Sequence, residues 1–228
     1  MNNNINVVFF DLFFTLVIPK YNDLRNENDV LRITKAEWEK YAEDNELYIK
    51  RATGHEKSPQ KIIESIVEKM QIDVKECDKI EILKLREERF KKSLIDVDTV
   101  ILEVLSDIKK NGKKICLLSN ADIIDVMHWG KSPLNGLFDD RIFSYEVGYL
   151  KPQTEIYSIA LKKMNVNPKE CIFIGDGGSD ELKGAKELGI KTILTEYLLK
   201  RDEEQHNAIK KFADYCIKDF KEIKSILF

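Results

Sequence analysis

The 228-residue chain carries 37 Lys and Arg against 40 Asp and Glu, a formal charge of -3, and lacks the broad basic field of a nucleic-acid binder, so no nucleic-acid partner is expected. That length suits one large domain or a core with a smaller companion. No stretch approaches 18 uncharged apolar residues and Met1-Asn2-Asn3-Asn4 is not a basic leader, so no membrane partner and a cytoplasmic location are expected. Cys77, Cys116, Cys171 and Cys216 form no CxxC pair, and the last three sit in apolar, strand-like runs, as small buried hydrophobes do in a reducing compartment.

The chain opens on an apolar strand over residues 5–10, and Val7-Val8-Phe9-Phe10 leads straight into Asp11 and then Leu12-Phe13-Phe14-Thr15-Leu16. Such a run reads as a parallel strand presenting a nucleophile at its carboxyl end. Residues 18–93 hold no convincing buried strand. Thr34-Lys35-Ala36-Glu37 reads as a capping box ahead of Trp38 and Tyr41. Ser58-Pro59 starts a further helix with Ile62, Ile63, Ile66, Val67 and Met70 on one face. A third helical stretch, Glu76 to Lys92, carries Ile80, Leu83 and Phe90 among many charges.

Beyond the insertion, strands are predicted at 114–118, 141–145, 171–175, 190–194 and 214–217, separated by helices near 98–110, 122–128, 153–164, 179–188 and 203–212. This alternation predicts an α/β protein with a Rossmann-like, mostly parallel sheet covered on both faces. The expected division is a core at 1–17 and 94–228 with an all-helical domain at 18–93. Trp129, Pro133, Leu134 and Phe138 read as a loop packing a helix end onto the sheet, and the residues after Ala213 as a last strand and closing helix.

Four segments carry chemistry in order: the strand ending in Asp11, Ile115-Cys116-Leu117-Leu118-Ser119-Asn120, Lys151-Pro152 ahead of a helix, and Cys171-Ile172-Phe173-Ile174-Gly175-Asp176-Gly177-Gly178-Ser179-Asp180. In this order they resemble the haloacid dehalogenase-like (HAD-like) hydrolase superfamily, most of whose members are magnesium-dependent phosphatases, many with a helical cap after the first motif. Gathered at the ends of adjacent strands, Asp11, Asp176 and Asp180 concentrate negative charge that a hard cation such as Mg2+ would neutralise. The resemblance implies Asp11, the backbone carbonyl of Phe13, Asp176 and Asp180 as metal ligands. It also implies Asp11 as nucleophile, Thr15, Ser119 and Asn120 as phosphoryl-binding groups, and Lys151 as the countercharge. The implied partner is a small phosphorylated molecule, with the chain a monomer or homodimer.

Phe13 departs from the pattern. Most phosphatases of the superfamily place a second aspartate there, which protonates the leaving oxygen, and a phenyl ring cannot do so. Substrates with good leaving groups, such as acyl or aryl phosphates, or an acid supplied by the cap, with His55, Glu56 and Lys57 as candidates, would accommodate the loss. Three alternatives stand beside the phosphatase: a 2-haloacid dehalogenase, with Arg25 or Arg32 nearest to the cap position that binds substrate, a phosphonatase-like enzyme, and a protein that binds a phosphorylated ligand without turnover. Retention of Asp176 favours a metal and a phosphoryl group.

Overall fold

The computed structural model describes residues 5–228, and Met1–Asn4 lie outside the described residues. Strand β1 (Val7–Phe10) is followed by five helices, α1 (Glu27–Val30), α2 (Lys35–Ala42), α3 (Asn45–Ala52), α4 (Pro59–Met70) and α5 (Glu76–Ile95). The chain then alternates through α6 (Thr99–Lys110), β2 (Lys114–Ser119), α7 (Ile123–Val126), β3 (Asp140–Phe143), α8 (Ser144–Val147) and α9 (Thr154–Met164). It ends with β4 (Cys171–Gly175), α10 (Glu181–Glu187), β5 (Lys191–Thr195), α11 (Glu203–Lys210), β6 (Tyr215–Ile217) and α12 (Glu222–Leu227). All six predicted strands are present. They form one sheet in the order β3-β2-β1-β4-β5-β6, and every adjacent pair is parallel.

The sheet is parallel and two-sided because its central strands are apolar at every position. In β1, Val8 and Phe10 pack on the side of α6 and α12, whereas Val7 and Phe9 pack on the side of α9 and α10. Fully burying each such side chain contributes about 1.5–3 kcal/mol. Strand β1 sits between β2 and β4, with Phe10 level with Leu117 on one side and Ile174 on the other. The order therefore reverses at β1, and the crevice at the carboxyl ends of β1, β2 and β4 is where ligands bind in sheets of this kind. Trp129 and Leu134 are buried, and the Trp129 ring packs edge-on against Phe138 and Phe143.

The inserted helices have their own apolar core. Ser58 caps α4 by accepting from Lys61 N, and Ile62, Ile63, Ile66, Val67 and Met70 are all buried with Trp38 and Ala42 of α2. Thr34 accepts from Glu37 N at 3.1 Å, so the Thr34 half of the predicted capping box forms. Helix α5 differs from its sequence pattern: Ile80 is exposed, and Arg86 and Arg89 are buried. Ion pairs supply the reason. Arg89 reaches Glu27 of α1 at 2.8 Å, and Arg86 reaches Asp125 of α7 at 3.0 Å and Asp122 just before it at 3.4 Å. Arg51 of α3 also bonds Asp122, at 2.8 Å, and Glu43 at 2.9 Å. The insertion thus meets the core through a buried charged network.

Two expectations need correction. Cys216 is exposed, because β6 is an edge strand with one face to solvent, while Cys116 and Cys171 are buried as expected. The helix predicted over 179–188 begins only at Glu181, after Ser179 (φ 52°) and Asp180 (φ 51°) take left-handed backbone.

Candidate active site

Asp11 extends the ladder by one bond beyond β1, donating its N–H to Ile174 O at 2.9 Å. The chain then turns tightly through Phe14 (φ 61°), whose N–H donates to Val17 O at 2.7 Å. This turn folds Thr15 back so that its hydroxyl donates to Asp11 Oδ2 at 3.0 Å. Phe13 faces the other way, onto the inserted helices, with its ring edge-on to Phe90 at 5.5 Å. The sequence departure at Phe13 therefore forms a contact between the loop after Asp11 and α5.

Lys151 is 3% exposed, and its ammonium is bonded to Asp11 Oδ1 and, at 2.5 Å, to Glu181 Oε2. Burial alone would lower its pKa, but the charges of Asp11 and then Glu181 outweigh burial and hold it above the ordinary lysine value. Asn120 fixes the Lys151 backbone from β2's end: its amide oxygen accepts from Lys151 N at 2.8 Å and its amide nitrogen donates to Lys151 O at 3.0 Å. Ser119 is fully buried and does not line the cavity; its hydroxyl meets Asn120 O at 3.4 Å.

The loop after β4 brings in the remaining acids. Asp176 Oδ1 accepts from Gly178 N at 3.2 Å, and Arg201, from the loop between β5 and α11, donates to its Oδ2 and, at 3.1 Å, to its backbone oxygen. Glu181 Oε1 accepts from Gly177 N at 3.0 Å. Asp180 is exposed and stands outside this group, so the residue next to it fills the place that the sequence reading gave to Asp180. The left-handed pair Ser179–Asp180 is the cause, since it delays the start of α10 and swings Glu181 inward. Such backbone costs about 1–3 kcal/mol per residue and is tolerated where a site needs it. Gly175 makes the room: a Cβ there would lie 2.0 Å from Glu181 Oε1.

One oxygen each of Asp11, Asp176 and Glu181 lie within 4.8 Å of one another, and all three residues are buried. Burial first, and then the charge of Asp11, raise the pKa of Asp176 and raise that of Glu181 well above its ordinary value. Three carboxylates so placed favour a cation between them. Around a magnesium ion, neighbouring oxygens stand about 3 Å apart and opposite ones about 4.2 Å at its usual bond lengths, so the trio would close in to hold that ion. The donors are all hard oxygens, as magnesium prefers.

Above the carboxylates lies a cavity of about 750 Å3 between the sheet's end and the inserted helices. Asp11, Asn120, Lys151, Asp176, Glu181 and Arg201 line its floor, and Tyr21, Tyr48, Arg51, Arg86, Arg89 and Phe90 line its roof. His55, Glu56 and Lys57 do not line it; His55 is exposed and pairs with the Thr53 hydroxyl at 2.7 Å. Arg25 pairs on the surface with Glu81, and neither it nor Arg32 lines the cavity. Sequence reasoning missed Glu181, Arg201 and the roof residues. Glu181 reads as one more charge inside a helix, and Arg201 lies in a loop without a motif.

The haloacid dehalogenase-like hydrolase family model matches residues 5–189, and the chain belongs to that family. It is 29% identical over 126 residues to a glyceraldehyde 3-phosphate phosphatase of Methanothermobacter thermautotrophicus, covering 54% of this chain and 55% of that protein. It is 35% identical over 109 residues to a D-ribitol-5-phosphate phosphatase of Bacteroides thetaiotaomicron, covering 44% of this chain and 52% of that protein. The chain thus spans about half the length of these curated relatives. Among solved structures, a HAD family enzyme from Bacteroides thetaiotaomicron, in complex with magnesium and inorganic phosphate, superposes with a TM-score of 0.65 at 22% identity, covering 88% of this chain and 98% of that one. A dehalogenase superposes with a TM-score of 0.68 at 18% identity, covering 100% of this chain and 99% of that one. Both likenesses are of fold. The chain is a HAD-like hydrolase with an inserted helical region.

Proposed function

We propose that the chain is a magnesium-dependent phosphatase of a small phosphorylated metabolite, acting through an aspartyl-phosphate on Asp11. The observation that carries this reading is the convergence of buried Asp11, Asp176 and Glu181 beside the Lys151 ammonium, at the reversal point of a parallel sheet. The phosphatase names of the relatives support it. Asp11, Asp176, Glu181 and the Phe13 carbonyl would hold the ion, which when bound supplies positive charge to the phosphoryl oxygens.

The residues of the chain divide the remaining work. A carboxylate oxygen of Asp11 attacks phosphorus while the ester P–O bond breaks and its electron pair leaves with the substrate oxygen. Thr15 orients the carboxylate, and Lys151 offsets the charge gathering on the phosphoryl oxygens. Asn120 keeps Lys151 in place, and Ser119 supports that loop from beneath. Water then attacks phosphorus, releasing phosphate and restoring Asp11. Helices of the inserted region, about residues 18–93, act as a cap that keeps bulk water from the first step. With Phe13 where an acid would stand, the enzyme favours acyl or aryl phosphates, whose leaving oxygens need no proton.

The dehalogenase reading draws on the same Phe13, since a departing halide needs no proton either. A panel with and without Mg2+ separates the readings, using an aryl phosphate, an acyl phosphate, a phosphonoaldehyde and a 2-haloacid. Magnesium-dependent phosphate release, abolished in Asp11→Asn, is expected. Magnesium-independent halide release would replace the phosphatase by the dehalogenase, and binding of phosphate esters without turnover would leave a ligand-binding protein.

A further inference from the structure

We infer that Arg201 is an exchangeable counter-ion: it holds Asp176 Oδ2 until a divalent cation takes that oxygen, and its guanidinium then serves the phosphoryl group. The inference rests on the metal and phosphoryl reading of the site. Its origin is the distribution of charge. Of the three convergent carboxylates, Lys151 serves two, Asp11 and Glu181, and leaves Asp176 aside. Arg201 serves Asp176 alone, with Nη2 on the side-chain oxygen Oδ2 and Nε on the backbone oxygen at 3.1 Å.

The two contacts differ in what a cation would do to them. Asp176 Oδ1 is tied to its own loop by Gly178 N–H at 3.2 Å, so a cation drawn to Asp176 competes with Arg201 at Oδ2. The Nε contact to the backbone oxygen does not compete and keeps the arginine tethered at the site. Arg201 is suited to such an exchange. Its side chain is 16% exposed, it comes from a loop rather than from the sheet, and it lines the cavity floor with Asp11, Asn120 and Lys151. A guanidinium freed on one edge presents a planar pair of donors, which matches the oxygens of a phosphoryl group. The net charge agrees. Three carboxylates exceed Lys151 and Arg201 by one negative charge, adding Mg2+ leaves an excess of one positive charge, and an arriving phosphate is then attracted.

The test measures binding in place of turnover. Isothermal titration of the full chain with MgCl2, and with orthophosphate at saturating Mg2+, is run on the wild type and on Arg201→Gln, Arg201→Lys and Asp176→Asn. In Arg201→Gln, Mg2+ is expected to bind about three- to tenfold more tightly and orthophosphate about tenfold more weakly, the range for losing one partly exposed charged hydrogen bond. Arg201→Lys should fall between, because an ammonium keeps the charge but not the paired donors. Opposite signs for the two ligands are the signature. Mg2+ affinity that falls or stays level in Arg201→Gln, with wild-type thermal unfolding, overturns the exchange and leaves the proposed function standing. Wild type and Asp176→Asn binding Mg2+ equally would overturn the metal site, and the inference with it.

Discussion

Replacing Phe13 by Asp tests the departure on which the choice of substrate turns. The ring is half-buried, lines the cavity and meets Phe90 edge-on at 5.5 Å, so a carboxylate at Cβ would face the same space as the leaving group. Losing the ring pair costs about 0.5–1.5 kcal/mol, with about 1 kcal/mol more for the lost apolar burial. Against this, general acid catalysis contributes about 10²–10⁴ in rate, or about 2.7–5.5 kcal/mol at 1.36 kcal/mol per tenfold. An acid added without its family's surroundings should recover at most the lower end. We expect kcat/KM for an alkyl phosphate to rise about 10- to 100-fold, while that for an aryl phosphate changes less than about threefold. Phe13→Asn carries the same packing loss without the proton and sets the baseline. Steady-state phosphate release with the two substrates gives the alkyl-to-aryl ratio directly. A folded Phe13→Asp protein whose ratio equals that of Phe13→Asn would refute the reasoning, because some other cavity group would then already supply the proton.

Glu181→Gln should weaken Mg2+ binding by about tenfold or more through loss of one charged ligand, while Asp180→Asn leaves it within about twofold; titration calorimetry of the pair checks which acid belongs to the site. Asp125 is buried, and burial together with the charge of Asp122 pushes its pKa from 3.8 up to about 7 against the pull of Arg86. An acid whose folded pKa is raised takes up a proton on folding, so its contribution to stability is full below about pH 4 and is lost as the pH rises through about 7. Asp125→Asn should therefore flatten the fall of unfolding free energy between pH 5 and 7 by up to about 1.4 kcal/mol per pH unit, as measured by urea titration at each pH. An unchanged slope would mean that Asp125 is ionised throughout.

The strands and their chemistry were legible because each is a short apolar run that ends on a polar residue. Asp11, Asn120, Lys151 and Asp176 follow such runs or the loop after them, and the structure brings all four to one cavity. What stayed hidden depends on dihedral angles and distant contacts. The choice of Glu181 over Asp180 rests on two left-handed residues that carry no glycine to announce them. The roof was missed for a related reason. Arg51, Arg86 and Arg89 look like solvated helix faces until the acids that draw them inward, Asp122, Asp125 and Glu27, are placed beside them. His55, the histidine nearest to a cap loop, is a surface residue, because pairing with Thr53 satisfies it locally.

The seam between the inserted helices and the core joins Arg51 and Arg86 to Asp122 and Asp125, beside apolar contacts from Phe13, Ile123 and Ile124. Greasy seams resist parting, since water gains nothing from bare hydrocarbon. Ions behave otherwise: separated, they recover the hydration they gave up, and the balance is close to even. If the inserted helices act as the proposed cap, such a join would serve as a wettable clasp, parting to admit a ligand while baring less sticky surface than an all-hydrocarbon seam would.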